Sequence, residues 1–440
     1  MPTLTNDPGP LTRRAALRAL AMAALCAAPL PLTMAHAAPA PRSRSRPRRQ
    51  REPGTLRALT LNVWGLPNAP DRDFRMAHIA DVLARGDYDL VAIQEAWLGI
   101  DRDTLRAGAA RGGLEHDVFF DEGTFGTGLM LLSRYPLSDA AFTRYTLNGD
   151  PLVADHYVPK GLGFARVATP SGPLDAYVTH TIAQHNPNDR ADRYRPHRVA
   201  QLYELTEQVN ARSAESPLLV MGDLNARPDQ FGYGMLLALT GLADGFFALH
   251  PDDPGYTYSV DNLYNPDART RRLDYVLARD GGAMRLTPGA AEIVLKLIPI
   301  TEGTPQPKAY SDHYGVRVDY ALEPLDAPLP SAAPTGADVE STLREAAAVL
   351  RDGLAEEKAK RPRRAVEAGI GLAGAAALYA AGARVEDRQA ELGRALKGPG
   401  AAAAGAYALA SGWLAAITSG RIVKGYESVL RRIDARLGTI

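Results

Sequence analysis

Between residues 62 and 313, six short polar motifs interrupt an otherwise apolar pattern. They are N-V-W-G-L-P at 62–67, I-Q-E-A-W at 93–97, Y-V-T-H-T at 177–181, M-G-D-L-N at 221–225, L-D-Y-V-L at 273–277 and S-D-H at 311–313. Most of them stand where an apolar run ends. A strand that ends in a carboxylate, an amide or an imidazole presents that group at the rim of its sheet, where the core stops and a crevice begins. Six such endings restrict the chain to a fold that gathers strand ends at one rim, and they imply one polar site assembled from a whole domain.

Around these endings, residues 55–322 alternate strand-like and helix-like segments. Leu56–Val63, Leu90–Ile93, Gly128–Leu132, Leu174–Val178, Pro217–Met221, Leu273–Leu277 and Tyr314–Val318 read as strands, and Phe74–Leu83 and His197–Val209 as helices. Helices between strands, with hairpin-like stretches as well, predict an α/β sandwich with a mixed sheet. The region carries 25 basic and 34 acidic residues, a net charge of −9. That balance argues against binding a polyanion through counterion release, so no nucleic acid partner is expected.

The flanks have other characters. Residues 1–38 read as an export signal: Arg13-Arg14, an Ala-rich apolar stretch to Met34, and Ala35-His36-Ala37 as a cleavage site. The paired arginines resemble a twin-arginine signal, so export from a bacterial cytoplasm is expected, to a secreted or envelope location. The only cysteine, Cys26, lies in this segment, which leaves no disulfide framework or zinc–thiolate site afterwards. Residues 39–54 form a Pro/Arg-rich linker and 323–340 a Pro/Ala-rich boundary. Residues 341–440 read as helical. Two uncharged stretches, Ala368–Ala383 and Gly398–Gly420, are flanked by Lys and Arg and suggest a membrane-associated hairpin, although 16 residues is short for a span. The spacing of Gly371 and Gly374 permits close helix packing there.

The chemistry lies in the endings. Glu95 follows the apolar run 90–93, and with Asn62 and Asp223 at other endings it predicts a site for a hard cation such as Mg²⁺. A sparse carboxylate set without a His/Cys cluster argues against catalytic zinc. Asp223 can orient or deprotonate a water, and the Asn225 amide can donate to a phosphoryl oxygen. In Ser311-Asp312-His313, a carboxylate beside an imidazole can fix its tautomer, and His180 supplies a second imidazole. Two histidines, an acid and a cation suit in-line attack of water on a phosphodiester. His197, at the start of a helix, reads as a surface or capping residue, and Phe246-Phe247 as a pair of core aromatics.

Together these motifs resemble the endonuclease/exonuclease/phosphatase superfamily, and within it the neutral sphingomyelinases. The longer resemblance adds Gly126-Thr127-Gly128-Leu129, Asn148-Gly149-Asp150-Pro151, Lys160-Gly161, His197-Arg198-Val199-Ala200-Gln201 and Arg272-Leu273-Asp274, and covers about residues 55–320. It implies a four-layered α/β/β/α sandwich of the DNase I-like type. It also implies Mg²⁺-dependent hydrolysis of sphingomyelin to ceramide and phosphocholine, with Mn²⁺ or Co²⁺ as substitutes. It makes Glu95 the metal ligand with Asn62 nearby, and sets Asp223, Asn225, His180 and His313 around the phosphate with Asp312 and Asp274 in support. Asp155 and Lys160, five residues apart, match a pair that serves as an activity switch in animal relatives. The chain departs from the family at Thr179-His180-Thr181-Ile182, where animal relatives often carry a second His, so substrate choice is less firmly implied than reaction type.

The expected partner is a phospholipid membrane carrying sphingomyelin, with no protein partner. The competing readings are a nuclease or another phosphoesterase of the same superfamily, and a non-catalytic membrane-binding module. The module predicts loss of a central residue, whereas Asn62, Glu95, His180, Asp223, Asn225, Asp312 and His313 are all present.

Overall fold

The computed structural model describes residues 54–123, 126–149, 158–184, 192–212, 216–265, 269–299, 306–329, 334–385, 390–413 and 419–439. The export signal and nearly all of the Pro/Arg linker lie outside the described residues, as does Asp155.

The strands in chain order are β1 (Thr55–Asn62), β2 (Leu90–Gln94), β3 (His116–Phe119), β4 (Met130–Ser133), β5 (Leu137–Arg144), β6 (Gly161–Thr169), β7 (Gly172–His180), β8 (Leu218–Asp223), β9 (Ala243–Asp244), β10 (Asp274–Arg279), β11 (Met284–Val294), β12 (Leu297–Ile298), β13 (Lys308–Ala309) and β14 (Gly315–Pro324). They form two six-stranded mixed sheets, ordered β11-β14-β1-β2-β4-β3 and β5-β6-β7-β8-β10-β9, with β12 and β13 as a separate pair. The helices are α1 (Arg72–Arg85), α2 (Gly99–Arg111), α3 (Arg195–Ala211), α4 (Phe231–Thr240), α5 (Ala337–Val385), α6 (Ala390–Ala395), α7 (Ala401–Trp413) and α8 (Ser419–Leu437).

Side chains alternate across a strand, so each central strand divides its apolar residues between two cores. Leu56 and Ala58 of β1, Leu90 and Ala92 of β2, Ala176 and Val178 of β7, Leu219 and Met221 of β8, and Val276 of β10 meet between the sheets. Their odd neighbours face outward. Leu59, Leu61, Val91 and Ile93 pack under Met76, Ile79 and Leu83 of α1 and Leu105 of α2. Tyr177, Leu218, Val220 and Leu277 pack under Val199, Leu202 and Leu205 of α3 and Leu236 and Leu239 of α4. The result is the four-layered α/β/β/α sandwich expected from the sequence.

The C-terminal helices extend the outer layer. Val339, Leu343, Ala347 and Leu350 near the start of α5, with Ile422, Tyr426, Val429 and Ile433 of α8, are buried in the same core as α3 and α4. Contact with α8 also corrects the expectation for His197, which is 6% exposed and shares a hydrogen bond of 2.9 Å with the Tyr426 hydroxyl. Of the aromatic pair, Phe246 is buried and Phe247 is exposed. Farther out α5 and α7 form a hairpin in which Gly371 lies against Ala408, while Gly374 has no such neighbour. Val366, Ile370, Leu372, Tyr379, Tyr407, Leu409 and Trp413 are exposed on this hairpin. Among the described residues, no helix is long and apolar enough to cross a membrane.

A chain ending at Leu329 would strip the apolar cover from α3 and α4, where each large side chain uncovered costs about 1.5–3 kcal/mol. We expect such a fragment to aggregate or to melt more than about 10 °C below the full chain in a thermal scan. An unchanged Tm would contradict this account of the packing.

Candidate active site

The stripe of residues that fills the space between the sheets continues past the last apolar position of each strand. In β1 it runs Leu56, Ala58, Thr60, Asn62; in β7, Ala176, Val178, His180; in β8, Leu219, Met221, Asp223. β10 runs antiparallel to β8, so its first residue, Asp274, pairs with the last of β8, Asp223. Across the parallel β7–β8 ladder, His180 also pairs with Asp223. His313 precedes β14, which is antiparallel to β1, and so reaches the same rim. Asp274 and His313 thus stand at strand beginnings and the others at strand ends.

The side chains converge tightly. The Asn62 amide Nδ2 donates to Glu95 Oε1 at 3.1 Å and to Asp223 Oδ2 at 3.3 Å. His180 Nε2 lies 3.5 Å from Asp223 Oδ2 and 4.0 Å from Glu95 Oε1. His313 Nε2 lies 3.9 Å from Asp223 Oδ2, and its Nδ1 is 2.8 Å from Asp274 Oδ2. The Lys160 amine is buried and lies 3.0 Å from each ring nitrogen of His180. Asn62, His180, Asp223, Asp274 and His313 are buried, while Glu95 and Asp312 are partly exposed.

Two expectations are revised in detail. The carboxylate that orients the His313 imidazole is Asp274, not its neighbour Asp312, which instead accepts from the Ser311 hydroxyl at 3.1 Å. His313 and Asp274 stand at the starts of strands in the two facing sheets, so the partner arrives across the gap between the sheets rather than from next door. Asn225 closes an Asx turn, its backbone N–H donating to Asp223 Oδ1 at 2.8 Å, and its side-chain amide donates to the Thr181 carbonyl at 3.1 Å. One amide hydrogen of Asn225 therefore holds the scaffold, which leaves the second for a ligand.

The backbone around the site is strained. Trp64, Glu95 and Asn225, at φ of 48°, 63° and 45°, adopt the left-handed region that side chains other than glycine rarely occupy. Glu95 is held there by Gly65, whose N–H donates to the Glu95 carbonyl at 3.1 Å. A Cβ on Gly65 would stand 2.4 Å from that carbonyl oxygen, which accounts for the glycine in N-V-W-G-L-P. Arg75 was not singled out in the sequence. Its buried guanidinium donates to the carbonyls of Val63, Trp64 and Pro70 and pins the same loop. The signal was its place among Met76, Ile79 and Leu83 on the inner face of α1.

Electrostatics follow from burial and crowding. Burial, with the Asp274 charge beside it, pushes the Asp223 carboxyl up to about 7. Burial also raises Asp312 to about 6, with Glu95 adding to the rise. Burial alone would lower the His313 imidazole, but Asp274 and Asp223 outweigh it and hold the ring well above the usual histidine range. Carboxylates this close repel one another unless a proton or a cation intervenes. Asp274 Oδ1 is buried without a hydrogen-bond partner. One ligand atom each from Asp223, Asp274 and His313 lies within 4.8 Å of the others, so the rim can hold a metal ion. His313 Nδ1 and Asp274 Oδ2 are occupied with one another, whereas the Glu95 and Asp223 carboxylates, bridged by the Asn62 amide nitrogen, form the oxygen-rich side that a hard cation prefers.

A divalent cation binds the ionised carboxyls and competes with their protons. Asp223 is largely protonated at pH 5 and ionised at pH 8, so Mg²⁺ affinity should rise as pH climbs through 6 and 7 and fall in the reverse direction. Calorimetric titration between pH 5.5 and 8 should show an increase of about tenfold or more. A flat profile would contradict the assignment of Asp223 to a cation site.

A family model described as the endonuclease/exonuclease/phosphatase family matches residues 59–313. A Drosophila melanogaster protein assigned as a neutral sphingomyelinase is 31% identical over 282 residues, 62% of this chain and 62% of that one. Sphingomyelin phosphodiesterase 2 of Mus musculus is 28% identical over 323 residues, 69% of this chain and 75% of that one. The chain thus spans about three fifths of the length of the Drosophila relative. Among solved structures, sphingomyelinase C from Streptomyces griseocarneus superposes with a TM-score of 0.47 at 20% identity, covering 60% of this chain and 99% of that one. With more than half of its length matched, from the end of β1 to His313, the chain belongs to the endonuclease/exonuclease/phosphatase family.

Proposed function

We propose that this protein is a Mg²⁺-dependent phosphodiesterase of the phospholipase C type that hydrolyses sphingomyelin to ceramide and phosphocholine. The observation that carries the reaction type is the convergence of Asn62, Glu95, His180, Asp223 and His313 on one buried spot between the sheets. The substrate rests on the relatives whose names include sphingomyelin phosphodiesterase 2.

Glu95, with Asn62 beside it, would hold the cation, which when bound supplies positive charge to a phosphoryl oxygen. The rest is done by side chains. Asp223 Oδ2 and His313 Nε2 are 3.9 Å apart, a gap that one water bridges with two ordinary hydrogen bonds. That water is the nucleophile; ionised Asp223 takes its proton, and protonated His313 holds the water in place. Asp274 orients the His313 ring so that its Nε2 faces the water. The free amide hydrogen of Asn225, with His180 and the Lys160 amine, faces the charge that grows on the phosphorane oxygens. His180 protonates the departing ceramide oxygen. Lys160 keeps its place in this account as one half of the switch pair with Asp155.

The same reading includes export through the segment 1–38 and action at a lipid surface. The apolar side chains exposed on the α5–α7 hairpin, with Lys358, Lys360, Arg361, Arg363 and Arg364 before them, support association with a bilayer. The acidic net charge of residues 55–322 weighs against a nuclease.

The purified mature protein should release phosphocholine from liposomes containing sphingomyelin in the presence of Mg²⁺, and lose that activity with a chelator. The His313→Ala variant, folded by circular dichroism, should turn over about 10³-fold or more slowly. Nicking of plasmid DNA without lipid cleavage would overturn the proposal.

A further inference from the structure

One conspicuous motif, His197-Arg198-Val199-Ala200-Gln201, is not among the groups placed at the phosphate. On α3 the positions 197, 201 and 204 fall on one stripe. Each of them binds a segment that leads into the site, or the last helix, α8, packed against α3. Gln201 is fully buried, and its Oε1 accepts from the Ile182 N–H at 2.8 Å while its Nε2 donates to the Leu147 carbonyl at 2.6 Å. Glu204, 6% exposed, accepts from the Thr146 N–H at 2.9 Å and from the Thr146 hydroxyl at 2.5 Å. His197 is bonded to Tyr426 of α8.

Thr146 and Leu147 begin the connection between β5 and β6. That connection ends at Lys160, whose carbonyl accepts from the Tyr145 N–H at 3.0 Å. Ile182 lies two residues after His180. Anchoring Thr146, Leu147 and Ile182 therefore sets the two chain segments on which Lys160 and His180 stand. The last helix closes the arrangement. Arg432 of α8 donates to Glu204 Oε1 at 2.6 Å and pairs with Glu207 at 3.2 Å. Gly425 of α8 approaches the Leu147 side chain so closely that a Cβ there would meet it at 2.5 Å.

We propose that Gln201, Glu204 and Arg432 are positioning residues, and that through them the C-terminal helix α8 fixes Lys160 and His180 at the phosphate site. The proposal rests on the phosphodiesterase reading for its kinetic consequence but not for its geometry. An acidic side chain at 204 accepts two donors from one residue and a guanidinium from another, a set that neither Gln nor Ala reproduces. Displacement of a reacting group by about 1 Å costs about 100-fold in rate, so loss of this anchor should act on turnover more than on substrate binding.

The test compares the full-length chain with Glu204→Gln, Arg432→Gln and Arg432→Lys. Turnover of sphingomyelin in mixed micelles is measured well below each Tm, and the His180 ring resonances are followed in histidine-labelled protein, assigned with a His180→Gln control. We expect Glu204→Gln and Arg432→Gln to lower kcat about 10- to 100-fold with KM within about threefold. The His180 resonances should move in both variants, and Arg432→Lys should recover most of the rate. Parental kcat and unmoved His180 resonances in both variants would overturn the proposal, whatever the change in Tm. If the parent protein does not cleave sphingomyelin, the functional reading fails, and the His180 resonances alone then decide whether α8 positions the site.

Discussion

The packing of two sheets through their inner faces is the constraint from which everything else follows. It requires every second residue of each central strand to be apolar while the partner sheet covers it. Where the cover ends the same stripe continues, and the next position can be polar because water or a ligand reaches it. Asn62, His180 and Asp223 are those next positions. The antiparallel pairing of β10 with β8 then brings Asp274 directly opposite Asp223, so two carboxylates meet in one ladder pair. A shift of one residue in any of these registers would turn the chemical group into a helix layer and an apolar group into the crevice.

Meeting in that way has an energetic consequence. Ionised carboxylates taken out of water disfavour one another, and Asp223 responds by holding its proton up to about pH 7. His313, drawn in the same direction by the Asp274 and Asp223 charges, also keeps its proton. The site thus stores protons near neutrality and favours a divalent cation that can replace them. Backbone strain at Trp64, Glu95 and Asn225 adds to the cost. Strain of this kind persists where surrounding structure over-determines it. Here Arg75, Gly65 and the three carbonyls held by the guanidinium do so.

Much of this was legible in the chain, because strand periodicity and strand endings are local signals. The central strands and the rim residues could be read from where Leu, Val and Ile runs stop. What could not be read depended on partners far apart in sequence. The partner of His313 is 39 residues away at Asp274, and only the packing of the sheet that holds β14 on the sheet that holds β10 brings it close. The burial of His197 depends on Tyr426, 229 residues later. Helix α2 left little trace because Leu105 is its only large buried apolar side chain, the other covered positions being Asp101, Gly108 and Ala109. Strand β11 is broken by a register shift between Pro288 and Ala290 and is half exposed, so its alternation is weak. The C-terminal helices were recognisable as helices, but their composition gave no sign that α8 would lie on the Thr146–Leu147 segment.

The central claim is that Glu95 and Asp223, joined by the Asn62 amide, form the oxygen-rich side of the rim for a cation, while Asp274 and His313 are occupied with one another. Anomalous diffraction from crystals soaked in Mn²⁺ tests this most directly. The account predicts a peak about 2.0–2.2 Å from the Glu95 carboxylate, with the Asp274–His313 hydrogen bond intact. A peak centred on Asp274 and His313 with Glu95 out of reach, or none at the rim, would contradict it.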